Sequence, residues 1–219
     1  MNERIHNRVF ALLGIGSVAF MLAGVVVGAA GGREFATITS SPSDIADAIA
    51  KPVGAAAWAG AYIEILSFGC FLAFAVWACA KLGGGLLGQI GRAAATAYAG
   101  MSLASLAVMD TIAYRSGHGM GLQLGTALIT LNEALFVMSW FLSAFFLLAV
   151  GPLALQAGRR TIGWSAIAVA AIVVVATPTS VDGIAQLANF LWLIWIVGTS
   201  VALGRAPSER VSVVAHARS

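Results

Sequence analysis

Four carboxylates stand where the chain is otherwise apolar. Of nine acidic residues, Glu3, Glu34, Asp44, Asp47 and Glu209 fall in loops or tails, whereas Glu64, Asp110 and Glu133 lie inside apolar runs and Asp182 at the edge of one. An acid within a membrane span costs at least about 2.5 kcal/mol at the helix centre, and such residues usually face an interior cavity. Hydrocarbon around a carboxyl group favours its neutral form, because desolvation penalises the anion. A neutral acid of this kind can protonate an alkene or epoxide of a lipid. The carbocation that follows needs aromatic faces to attract it and exclusion of water. A second carboxylate or an amide then takes the final proton.

The spacing around the acids fits that chemistry. On the helical face of Glu64 lie Gly60, Ala61, Ser67, Phe68 and Phe71; on that of Glu133 lie Thr126, Ile129, Thr130, Phe136, Val137 and Trp140, with Asn132 adjacent. Asp182, Gln186 and Asn189 make a polar stripe, followed by Trp192 and Trp195. The candidate catalytic acids are therefore Glu64, Glu133, Asp182 and Asp110, and the candidate substrate-binding residues are Phe68, Phe71, Asn132, Phe136, Trp140, Gln186, Asn189 and Trp192. Structural roles compete at two positions. Asp110 reads also as an interfacial partner of Arg115, and Asp182 as the N-cap of the last helix.

The elements that must position these residues follow from composition. The 219 residues are 60% apolar and only 10% charged, with a mean hydropathy of +0.93, against about 25% charged in a soluble domain. This excludes a soluble enzyme, a disordered chain and a secreted disulfide scaffold, and points to an all-α, polytopic protein of the cell membrane. Runs long enough to span hydrocarbon occur at about 9–30, 53–80, 93–114, 122–150, 163–180 and 183–204, which predicts a single six-helix membrane domain over residues 1–219. The first run is longer than a signal-peptide core, so it is read as a span.

Nine of the twelve basic residues then fall on one side, against Arg33, Lys51 and Arg115 on the other, which predicts that both termini are cytoplasmic. The net charge of +3 is a matter of topology, and no nucleic-acid partner is implied. On this topology Glu64 and Glu133 each lie about 16 Å from the outer start of their spans, and Asp110 and Asp182 lie nearer the outer face. One outer-leaflet vestibule is the expectation. The outer loop, 31–52, carries a short amphipathic helix over 43–49 that begins after Ser41-Pro42. Gly83–Gly85 and Gly117–Gly121 read as turns, and Gly24-x-x-x-Gly28 and Gly121-x-x-x-Gly125 as small-residue helix contacts.

Several chemistries are excluded by residue type. The lysines, Lys51 and Lys81, sit at helix ends, and His6, His118 and His216 lie outside the spans, which removes a retinal Schiff base and paired haem ligands. No metal or other cofactor is expected. Cys70 and Cys79, nine residues apart, face opposite sides of one helix and cannot pair.

A membrane glutamate on the second span, Glu64, and a later acid, Asp182, in a small all-helical membrane chain resemble the integral-membrane terpene cyclases of meroterpenoid and indole-terpenoid pathways, the bacterial drimentine-type enzymes among them. The resemblance implies catalytic roles for Glu64 and Asp182, a hydrophobic isoprenoid substrate beside membrane lipid, and acid-initiated cyclisation without a cofactor. The six spans here depart from the seven usual in the fungal enzymes. The same acids also suit a proton-coupled transporter of a small cation or drug, or a non-catalytic membrane subunit. A cyclase requires a closed aromatic-lined pocket of roughly 300–1,000 Å³; a transporter requires access to both faces. Homo-oligomerisation is left open.

Overall fold

The structure, a computed structural model, describes residues 3–33, 37, 39–177 and 182–205, with the side chains of Arg4 and of residues 182–186 outside the description. Over the described residues it is all-α, with seven helices: α1 (Glu3–Ala30), α2 (Pro42–Ala50), α3 (Ala55–Lys81), α4 (Gly85–Arg115), α5 (Leu122–Gln156), α6 (Arg160–Ala176) and α7 (Asp182–Arg205). Apart from α2, each helix packs on the next along the chain, and α7 returns to pack on α1, so six helices close a ring. Inside it, α3 also touches α7.

Four of the helices, α1, α3, α5 and α7, are long and apolar enough to cross a membrane, a pattern that suggests a multi-pass membrane protein. At 31 residues α4 is as long as its neighbours but carries Gln89, Arg92, Asp110 and Arg115, and α6 is an apolar helix of 17 residues. Large apolar side chains cover the outside, among them Leu12 (65% exposed), Val26 (67%) and Ile194 (65%). In water so broad an apolar surface would be unstable, whereas lipid accepts it.

Sequence boundaries shift where turns or polar residues intervene. The fourth helix begins at Gly85 rather than near 93, because Gly83 and Gly84, at φ 132° and 66°, complete the turn immediately after α3. It then runs helically through Gln89 and Arg92, which a hydropathy pattern reads as loop. The sixth helix ends at Ala176 rather than 180; Pro178 lies outside the described residues.

The short helix between the first two long helices forms where expected, over Pro42–Ala50, through a reciprocal cap. The backbone N–H of Asp44 donates to Ser41 Oγ at 3.2 Å, and that of Ser41 donates to Asp44 Oδ2 at 3.2 Å. Its buried face, Ile45 and Ile49, rests on α4 and α5. Of the two small-residue motifs, Gly24/Gly28 lies in the α1–α3 contact. Gly125, by contrast, receives Ile49 of α2, and Gly121 is the N-cap of α5. Cys79 is buried, Cys70 half-buried, and both are free thiols.

Candidate functional site

The site begins at the end of α1. Gly32, at φ 83°, lets the chain reverse: its N–H donates to Ala29 O at 3.0 Å, and the Arg33 N–H donates to Gly28 O at 3.2 Å. This is the paired-bond termination that favours glycine in the left-handed region. It leaves Arg33 beside the last turn of α1 with its side chain directed inward, and the residue is only 4% exposed.

Three glycines make room for what it meets. A Cβ on Gly60 of α3 would stand 2.5 Å from the Gly28 nitrogen and 2.6 Å from the Gly24 oxygen, so α1 and α3 touch backbone to backbone. A Cβ on Gly24 would stand 2.5 Å from Glu64 Cγ, and one on Gly28 would stand 3.4 Å from Arg33 Cδ and Nη1. In the space left free, Arg33 Nη1 donates to Glu64 Oε1 at 2.8 Å. Its Nη2 lies 3.8 Å from Asp110 Oδ1 of α4. Glu64 is 8% exposed, whereas the Asp110 side chain is 26% exposed.

A buried carboxylate is tolerable only when paired and hydrogen-bonded, and the guanidinium supplies both to Glu64. Asp110 thus pairs with Arg33 and not with Arg115, which is exposed at the end of α4. Beside the guanidinium lies a cavity of about 20 Å³, bounded by Ile49 of α2, by Met109 and Ala113 of α4 and its C-cap Ser116, and by Ile129 and Asn132 of α5. This is room for about one water. Asn132 is held by Ser105 of α4, whose Oγ donates to its Oδ1 at 2.8 Å. The short helix α2 lies over this end, fixed by the Gly117 N–H donating to Ile49 O at 3.0 Å.

The aromatic residues gather further along α3. Phe71 sits at the centre, with ring centroids 5.1 Å from Tyr98, 5.7 Å from Phe146 and 5.6 Å from Trp192. Trp192 stacks on Trp195 at 5.8 Å, and Phe68 meets Tyr98 at 6.2 Å. These are packing distances for offset and edge-to-face rings. Among the described residues, neither the small cavity nor a second, open one of about 290 Å³ between α2 and the α4–α5 turn is lined by an aromatic side chain.

No protein-family model, no curated protein and no solved structure matches the chain.

Of the sequence candidates, Glu64 and Asp110 come together on Arg33, and Asn132 lines the adjoining cavity. Glu133 is half-buried on α5 and does not line that cavity, since its neighbour Asn132 takes the inward position and the next residue lies about 100° around the helix. Phe68, Phe71 and Trp192 enter the aromatic cluster, and Trp140 packs against its edge. Phe136 is 49% exposed and meets only Trp140 among the described ring contacts; Asn189 is exposed on α7. The side chains of Asp182 and Gln186 lie outside the described residues.

Sequence reasoning placed Arg33 in the outer loop and did not select Tyr98 or Phe146. A signal for Arg33 existed: two span acids need a cation, and Arg33 is the basic residue immediately after a Gly-Gly helix end. Among the described residues no group of three or more His, Cys, Asp or Glu is placed to hold a metal ion.

Proposed function

We propose that the chain is a six-span membrane carrier, with both termini cytoplasmic, that couples protons to the movement of a small organic cation. The observation that carries this reading is the sharing of one guanidinium by two carboxylates from different helices, Glu64 of α3 and Asp110 of α4. A site of this composition can exchange one cation for another or for protons, while an unpaired buried charge is prohibitively costly. With a neighbouring cavity of about 20 Å³ beneath α2, the arrangement corresponds to a closed state, from which a carrier must open. Tyr62 (70% exposed), Tyr114 (67%) and Trp164 (62%) have the character of interfacial aromatics, the first two toward the Arg33 end and Trp164 at the start of α6.

The terpene-cyclase reading retains one observation of its own. Phe68 and Phe71, one and two turns below Glu64, connect the acid to the aromatic cluster. It requires that cluster to open around an isoprenoid and Glu64 to leave Arg33. Purified protein in liposomes with an imposed pH gradient separates the readings: small organic cations should drive proton movement that is lost in Glu64→Gln. Absence of cation-dependent proton flux, with conversion of a farnesylated or epoxidised isoprenoid to an isomer of equal mass, would reject the carrier for the cyclase.

A further inference from the structure

We infer that Glu64 and Asp110 form a guanidinium-binding seat, that Arg33 occupies it as a tethered ligand, and that a small solute bearing a guanidinium group takes its place. The inference rests on the carrier reading and names its solute class. Two nitrogens of one planar group face two carboxylates on different helices, Nη1 to Glu64 at 2.8 Å and Nη2 to Asp110 at 3.8 Å. A planar group with two outward nitrogens reaches both acids at once, one by a hydrogen bond and one at ion-pair distance, whereas an ammonium or alkali cation is a point charge. The walls are shaped to the group as well as charged for it. Gly24 places bare backbone against the Glu64 stem, where a Cβ would stand 2.5 Å from Cγ, and a Cβ on Gly28 would lie in ordinary contact with the guanidinium, 3.4 Å from Nη1. The cavity with Asn132 reaches Arg33 itself, the group that fills the seat.

A tethered ligand competes at an effective concentration set by its tether, in the millimolar range for a short one. The natural chain should therefore bind free guanidinium weakly, and removal of the Arg33 side chain should unmask the seat. The test uses the full-length protein in detergent, with melting followed against guanidinium chloride in the low millimolar range and against equal sodium or tetramethylammonium chloride. Arg33→Gln is expected to melt lower than the natural chain and to gain stability saturably with guanidinium alone. The gain should be about 5–10 °C at a hundred-fold excess over Kd. Adding Glu64→Gln to Arg33→Gln should abolish the gain.

If Arg33→Gln does not fold, Arg33→Lys serves. It keeps a cation at the site but leaves the forked seat partly filled, and a smaller guanidinium-specific gain is expected. Equal responses to guanidinium and sodium, or none to either, overturn the inference. Proton-coupled uptake of another cation without guanidinium binding rejects the solute class and leaves the carrier. Guanidinium binding without any coupled uptake upholds the seat and rejects the carrier.

Discussion

The contact between Arg33 and Glu64 joins a loop cation to a helix acid with both side chains almost wholly removed from solvent, 3% and 10% exposed. Removing one partner of such a pair strands the other, at about 3–5 kcal/mol. Glu64→Gln should therefore lower the melting temperature clearly, and a double-mutant cycle with Arg33→Gln should show the double variant losing less than the sum of the singles. Strict additivity would show that the two side chains do not act as a pair. The opposite end of α1 provides a contrast: Lys81 Nζ and Glu3 Oε1 are 3.7 Å apart with Glu3 62% exposed, and an exposed pair contributes at most about 1 kcal/mol. Lys81→Ala should barely move the melting curve. Among the aromatics, Phe71→Ala should cost about 3–5 kcal/mol as a buried cluster centre, whereas Phe136→Ala, at a half-exposed position, should cost far less in a chemical-denaturation series. The acids were legible in the sequence because each interrupts an apolar run. Arg33 was not selected, because its inward course depends on the turn at Gly32 and on the close approach of α1 and α3 at Gly24, Gly28 and Gly60.

At the scale of elements, the α1–α3 contact decides whether the site exists. Gly60 stands against both Gly24 and Gly28, so a methyl group there must push two backbones apart. Gly60→Ala should destabilise by about 1–3 kcal/mol, as overpacking does, and should also reduce cation binding by separating Arg33 from Glu64. Gly69→Ala on the same helix meets nothing within 4 Å and serves as the control for helix propensity. Equal melting temperatures for the two variants would show that the close approach is not needed. The helices themselves were readable from apolar length, and α2 from Ser41, Pro42 and Asp44, because caps and hydropathy are local. Which face of α5 turns inward was harder to read. That helix is apolar on nearly every side, and an all-apolar surface carries no periodic signal to distinguish Phe146, fully buried, from Phe145, 58% exposed.

For the whole molecule, the proposed arrangement of six spans with cytoplasmic termini predicts α2 outside and the α5–α6 turn inside. In a background lacking Cys70 and Cys79, Ser43→Cys should react with an impermeant maleimide added to intact cells, and Ala157→Cys only after the membrane is opened. The reverse pattern would invert the topology, and labelling of both from outside would remove a span. The ring was not legible in the sequence, since it depends on α7 reaching back to α1. Gly204 accepts Ala11 there, and Gly14 lies against Ser200 and Phe74. That closure has a consequence for biosynthesis. The α1–α3 half of the seat can form once the first two long helices are in the bilayer, but α1 keeps one flank open to lipid until the last helix is made. A ribosome stalled before α7 would leave a chain able to form its charged pair while its first helix is still free to take another partner, which makes the final helix the natural point for quality control to inspect.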